Sequence, residues 1–139
     1  MATGVHHVVG FARVYAGIGA PERRRIEQGI AVLREDADAL DAFRVANRAV
    51  ARALRKRLGI ETPRWHAFQL AFLLLNLPGL ADPHDPNRAT VDLLFFPTGG
   101  GKTEAYFGLA AFAMVLRRLR HPGEPVPLQR EHKTHIGPR

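Results

Sequence analysis

Apolar residues recur at helical spacing through residues 21–59 and predict two amphipathic helices, while residues 8–15 fit either a short helix or a strand. Pro21 suits the first position of a helix, and the Glu22 carboxylate favours the positive end of the helix dipole. The first helix is predicted to end near Asp36, which can cap the second helix, and Gly59 ends that second helix. The predicted buried positions are Ile26, Ile30, Leu33, Leu40, Phe43, Ala46, Val50 and Leu54. These helices are predicted to form an N-terminal helical extension.

The segment 64–77 is apolar nearly all round, which predicts a buried helix that Pro63 opens. Its notable polar residue is Gln69. The pair Phe68-Gln69 resembles an element of superfamily 2 helicases in which a glutamine amide contacts an adenine edge, and this resemblance implies the same contact for Gln69. The alternative is a hydrogen bond that stabilises the fold. Trp65 has two corresponding alternatives, which are flanking a base and packing in the core. A loop rich in proline, aspartate and asparagine is predicted to follow over 78–88.

Two charged clusters admit both a functional and a structural explanation. The last turn of the second helix carries cations that either contact phosphates or complement the helix dipole: Arg52, Arg55, Lys56 and Arg57. The loop carries side chains that either bind a metal or form turns: Asp82, His84 and Asp85. We favour the structural explanation for both clusters.

A strand, a glycine-rich turn and a helix are predicted in that order after the loop. The apolar residues of 91–96, which are Val91, Leu93, Leu94, Phe95 and Phe96, are typical of a central parallel strand. Three successive glycines at 99–101 let backbone N–H groups point inward, where side chains would clash with a phosphate. The chain then enters a helix over 103–119, whose N-terminus favours an anion. The predicted apolar face of that helix comprises Tyr106, Leu109, Ala110, Phe112, Ala113, Val115, Leu116 and Leu119.

This order predicts a phosphate-binding loop. Lys102 would reach the β- and γ-phosphates of a nucleotide, and the Thr103 hydroxyl would bind Mg²⁺. The strict phosphate-loop pattern begins with a glycine, and this chain has Phe96 at that position, so it departs from the pattern there. The alternative is a glycine-rich turn with an incidental lysine. The intact core at 98–103, between a predicted strand and a predicted helix, favours nucleotide binding.

The string Pro-Thr-Gly-Gly-Gly-Lys-Thr at 97–103 resembles motif I of superfamily 2 helicases. The longer string FFPTGGGKTEAYFGL at 95–109 is more similar to the helicase subunit of DISARM-type anti-phage defence systems, as are 64–72 and 76–83. The similarity extends to about Pro122. It implies ATP and Mg²⁺ as cofactors, with Lys102 and Thr103 as catalytic residues and Thr103 as the metal ligand. The nucleotide-binding positions that it implies are Gln69, Thr98, Gly99, Gly100, Gly101, Lys102, Thr103 and Glu104.

Length and charge narrow the possible partners. With 139 residues the chain is too short for the two RecA-like lobes of a superfamily 2 motor, so an N-terminal fragment is expected. A formal net charge of +7 favours polyanion partners, nucleic acid first. The resemblance to helicases implies that the partner of the intact protein is DNA more than RNA. The chain has no cysteine, which excludes disulfides and thiolate metal sites. Its apolar stretches are too short to span a membrane, and a cytoplasmic location without membrane contact is expected.

The C-terminal segment departs from the helicase family. Residues 121–139 are rich in proline and lack the apolar run that the next strand of a RecA-like lobe requires. The chain also lacks the Asp-Glu motif that completes Mg²⁺ binding and positions the attacking water in that family. We therefore expect a disordered or aberrant tail and negligible ATP turnover by this chain alone.

These observations predict an α/β fold, namely a truncated RecA-like lobe with one or few strands, mostly α in this chain. The predicted units are a helical extension at 1–60, the start of the lobe at 61–120 and the tail at 121–139. The predicted function is that of an N-terminal piece of an ATP-dependent helicase or translocase in anti-phage defence, with possible partner subunits of that system. The alternatives are a non-catalytic basic helical fragment that binds nucleic acid or a partner, and another type of phosphate-loop NTPase.

Overall fold

A computed structural model describes residues 12–89 and 101–124, and every regular element in these two ranges is helical. A short helical segment at 12–17 precedes the first long helix. The long helices are α1 (Ala20–Glu35), α2 (Ala37–Leu58), α3 (Ala67–Ala81) and α4 (Lys102–Arg120). A 3-10 helix, Pro86–Ala89, follows α3.

The predicted α/β fold class is wrong, because the described part of the chain is all-α. In the predicted α/β fold, the helix after the glycine-rich segment would lie against a sheet. This helix, α4, packs on α2 and α3 instead. Its buried face is correspondingly narrower than predicted and consists of Ala105, Gly108, Phe112 and Leu116. Tyr106 and Leu119, which were expected on the apolar face, are exposed. The strand predicted at 91–96 lies outside the described residues.

The most apolar helix, α3, lies between α1 and α4 and supplies much of the core. The prediction that it is buried is confirmed, since Leu73 is 2% exposed and Leu77 is fully buried. The predicted boundaries are wrong: the helix begins at Ala67 and continues through Pro78 to Ala81. A proline inside a helix removes one hydrogen bond to the carbonyl four residues earlier, here that of Leu74. The residues around it, Leu74, Leu77 and Ala81, are buried, which stabilises this part of the helix.

Both helices predicted in the N-terminal extension are confirmed. Asp36 caps α2, since its Oδ1 accepts a hydrogen bond from the Ala39 N–H at 3.0 Å. Gly59 ends α2 in the left-handed conformation, with φ of 65°, as a C-terminal glycine commonly does. The extension and the later helices share one core, which includes Ile26, Ala42, Leu77 and Phe112. The predicted boundary near residue 60 stays a prediction.

Candidate functional site

The candidate site lies at the start of α4, where the glycine-rich segment ends. Gly101 precedes the helix in the left-handed conformation, with φ of 84°, which strongly favours glycine. A Cβ atom at this position would also overlap the Gln69 amide nitrogen. Lys102 and Thr103 form the exposed start of the first turn. Because glycine has no side chain to cap the helix, the turn resembles the anion-binding helix starts of phosphate loops. Thr98, Gly99 and Gly100 lie outside the described residues.

Gln69 connects α3 to this turn through both ends of its amide. Its Oε1 accepts a hydrogen bond from the His66 N–H at 2.8 Å, and its Nε2 donates to the Gly101 carbonyl at 2.8 Å. The residue is 4% exposed, so the whole amide is enclosed by protein. This is the stabilising role that the sequence left open for Gln69. Contact between Gln69 and adenine stays a prediction.

Glu104 lies in the first turn of α4 and is paired with a cation from α2. Nη2 of Arg57 lies 2.8 Å from Oε1 of Glu104, and the Glu104 side chain is only 17% exposed. In the same turn of α2, Nε of Arg55 donates to the Glu61 carbonyl at 3.1 Å. Two cations of the basic cluster, Arg55 and Arg57, therefore donate hydrogen bonds to acceptors within the chain. The sequence did not predict the Arg57–Glu104 pair, because the two residues are far apart along the chain.

A groove of about 1340 Å³ opens beside the start of α4. Its walls are α2, the segment 60–66 and the first residues of α3, and it reaches Gly101 and Glu104. The cations that line it are Arg48, Arg52, Arg55 and Arg64. Three of these arginines lie on α2 at spacings of four and three residues, so the helical period itself places them on one face. Arg48 was not singled out from the sequence, although this spacing identifies it.

Aromatic rings line the same groove next to the arginines. The rings of His66 and Phe68 are stacked with 5.6 Å between their centroids and 6° between their planes. Trp65 donates from Nε1 to Oδ1 of Asn47 at 2.8 Å, which fixes the indole against α2. Its ring also packs close to Gly108 of α4. The groove thus combines cations for phosphates with flat apolar faces for bases or other rings.

The polar loop after α3 has the geometry of turns. Oδ1 of Asp82 accepts from the His84 N–H at 2.8 Å, and Oδ1 of Asp85 accepts from the Asn87 N–H at 2.8 Å. Both bonds join an aspartate to the N–H two residues later, which is the pattern of Asx turns. Across residues 12–89 and 101–124, no group of three or more histidine or acidic side chains is placed to hold a metal ion.

The chain is similar to "DISARM protein DrmA" of Bacillus paralicheniformis, with 61% identity over 59 residues. The matched segment makes up 42% of this chain and 5% of that protein, so the chain spans only a small part of its relative's length. This similarity confirms the relationship to DISARM that the sequence motifs indicated. The resemblance to superfamily 2 helicases stays a prediction.

Other comparisons identify no relatives. No protein-family model matches the chain, and no solved structure matches it.

Among the helices described in 12–89 and 101–124, none is both long enough and apolar enough to cross a membrane.

Proposed function

We propose that this chain is a nucleotide-binding piece of a DISARM-type anti-phage defence protein. ATP and Mg²⁺ bind at the glycine-rich segment that leads into α4. Backbone N–H groups from Gly99 to Thr103 hold the phosphates, with Thr98 and Glu104 at the edges of the site. Lys102 contacts the γ-phosphate, and the Thr103 hydroxyl is a ligand of Mg²⁺. When bound, Mg²⁺ neutralises phosphate charge and orients the terminal phosphate.

The conformation of Gly101 is the observation that carries this proposal. Its φ of 84° turns the chain directly into the first turn of α4, and a Cβ atom there would overlap the Gln69 side chain. A phosphate loop needs this combination: a glycine where the backbone turns, followed by a helix start that presents N–H groups. Lys102 and Thr103 are the exposed first residues of this helix, which supports their proposed contacts with phosphate and metal. The described residues that support the proposal are therefore those at the start of α4.

In the longer protein, we propose that ATP hydrolysis drives movement along nucleic acid, with DNA preferred to RNA. This part of the proposal rests on the resemblance of 97–103 to motif I of superfamily 2 helicases and on the similarity to DrmA. The net charge of +7 is compatible with a nucleic acid partner. Other subunits of the same defence system are the proposed protein partners.

Calorimetric titration of the 139-residue chain with MgATP tests the nucleotide site. We expect binding that weakens at least about tenfold in Lys102→Ala, since a charge-assisted contact to phosphate is lost. Lys56→Ala is the matched control, because it removes the same charge from an exposed position on α2. Thr103→Ala should reduce the dependence of ATP binding on Mg²⁺. An absence of ATP binding, or equal affinity in wild type and Lys102→Ala, would overturn the proposal.

A second candidate function is binding of nucleic acid without catalysis, and the groove is the observation that favours it. Its arginines lie beside the stacked rings of His66 and Phe68. Cations next to flat aromatic faces are typical of surfaces that bind single strands by phosphate contact and base stacking. This function does not require Lys102, so the lysine variant distinguishes the two candidates.

A further inference from the structure

Glu104 places a carboxylate at the edge of the proposed phosphate site. Its Oε2 would lie 3.3 Å from a Cβ atom built on Gly101, the residue that leads into α4. The helix dipole favours a carboxylate in this first turn. The same dipole favours a phosphate there, so the two anions compete for one positive region and repel each other. A nucleotide site beside this residue requires that the carboxylate charge be balanced.

Arg57 supplies the balancing charge from the last turn of α2. Its Nη2 lies 2.8 Å from Oε1 of Glu104, on the carboxylate oxygen other than the one nearest Gly101. The Arg57 side chain is 56% exposed, while that of Glu104 is 17% exposed. The carboxylate is therefore the more enclosed partner, and its neutralisation depends on a residue that solvent can reach.

We propose that Arg57 is a positioning residue that sets the affinity of the site for polyphosphates by neutralising and holding Glu104. This inference rests on the proposed nucleotide function. Without Arg57, no neighbouring cation balances the charge of the Glu104 carboxylate, and the side chain can rotate toward the first-turn N–H groups of α4. Both effects oppose phosphate binding, and the electrostatic one increases with the number of phosphate charges. Arg57 acts through Glu104 and need not contact the nucleotide.

A double-mutant cycle on MgATP affinity tests this coupling. Arg57→Gln should weaken ATP binding roughly tenfold, because the unbalanced Glu104 carboxylate then repels the phosphates. Glu104→Gln alone should tighten ATP binding several-fold, because that repulsion is lost. Because Arg57 acts through Glu104, the double variant should bind ATP as Glu104→Gln does, so that Arg57→Gln has no effect once the carboxylate is gone. Arg57→Lys, which retains the positive charge, should keep most of the wild-type affinity for ATP. Lys56→Gln is the matched control, since it removes one positive charge from the same turn of α2 without touching the pair.

The phosphate series separates an electrostatic role from a structural one. Arg57→Gln should weaken ATP more than ADP and leave AMP nearly unchanged, while thermal unfolding of the variant without nucleotide should match the wild type. Equal losses for all three nucleotides, or a double variant as weak as Arg57→Gln, would overturn the coupling. Should Arg57→Gln fail to fold, the tighter binding expected of Glu104→Gln still decides the matter. Wild-type binding that is lost in Lys102→Ala but insensitive to both charge variants would refute this inference and leave the proposed function standing. Absence of any wild-type binding would refute both.

Discussion

Gly29 of α1 lies against the backbone carbonyl of Leu74 in α3, and a Cβ atom on Gly29 would overlap that oxygen. The two helices therefore approach backbone to backbone at this crossing. Pro78 explains part of the arrangement, because its missing N–H leaves the Leu74 carbonyl without its usual partner four residues later. Pro78 and Gly29 thus act on the same group. Pro78 removes a hydrogen bond to the Leu74 carbonyl, and Gly29 leaves space for its oxygen.

Gly29→Ala should destabilise the fold by about 1–3 kcal/mol, since the added methyl forces α1 away from α3. Alanine normally favours a helix over glycine by about 1 kcal/mol, so a loss at this position has to come from the helix contact. Gly17→Ala is the control, because a Cβ atom there meets nothing within 4 Å. The free energy of unfolding from urea titration measures both variants. A stable Gly29→Ala protein would contradict the close contact.

Replacing Gln69 by methionine should lower the free energy of unfolding by about 2 kcal/mol. The substitution approximately retains the size of the side chain but removes the acceptor for His66 N–H and the donor to the Gly101 carbonyl. Gln28→Met on the exposed surface of α1 is the control and should change stability little. Urea titration followed by circular dichroism measures the difference. Equal stability of the two variants would show that the Gln69 hydrogen bonds contribute nothing.

The Asp36–Arg120 pair should make stability depend on acidic pH. Arg120 also donates to the Ala81 carbonyl, so it joins the α1–α2 corner to the end of α3. Burial raises the pKa of Asp36, but the hydrogen bond from Ala39 and the pairing with Arg120 outweigh that effect and lower the pKa below its usual value. Because the folded pKa is depressed, this stabilisation is present above the unfolded pKa of about 3.9 and is lost as pH falls through the folded pKa.

Asp36→Asn retains a capping side chain but removes the charge, and it should cost about 1 kcal/mol at neutral pH. The difference in unfolding free energy between wild type and Asp36→Asn should shrink as pH falls below 4, since wild-type Asp36 is then protonated. Asp41→Asn is the control, because that carboxylate is 63% exposed and lies 3.7 Å from Arg44. A wild-type advantage that stays constant from neutral to acidic pH would rule out the charge of Asp36 as its source.

Arginines of the groove should bind single-stranded DNA if the second candidate function holds. Combined Arg48→Gln and Arg52→Gln should weaken binding of a labelled oligonucleotide and reduce the slope of log affinity against log salt by about 1–2. Arg24→Gln together with Arg34→Gln removes the same charge from exposed positions on α1, outside the groove. Fluorescence anisotropy at several salt concentrations measures the effect, and quenching of Trp65, the only tryptophan in the chain, locates it. Equal losses in both double variants would indicate unspecific attraction by net charge.

Much of the helical structure followed from local chemistry. The spacing of apolar residues, the Asp36 cap and the left-handed Gly59 predicted α1 and α2 closely, because each depends on residues within one or two turns. The buried character of α3 also followed from its composition. Its continuation through Pro78 did not, since the helices that pack on α3 are distant from it along the chain. The candidate site divides in the same way. The helix predicted to begin at residue 103 begins one residue earlier, at Lys102, while the pairing of Glu104 with Arg57 was not predicted.

The sequence alone determined α1 and α2 with their caps, the buried character of α3 and the entry of a glycine-rich turn into α4, because those properties depend on near neighbours along the chain. The tertiary structure decided which surface covers each apolar face. In the described residues, α4 is covered by helices and not by the expected sheet. Apolar burial is non-directional, so an apolar face specifies that it must be covered but does not specify by which element. The same reason explains why the Gln69–Gly101 bond and the arginine groove emerged only when distant segments came together.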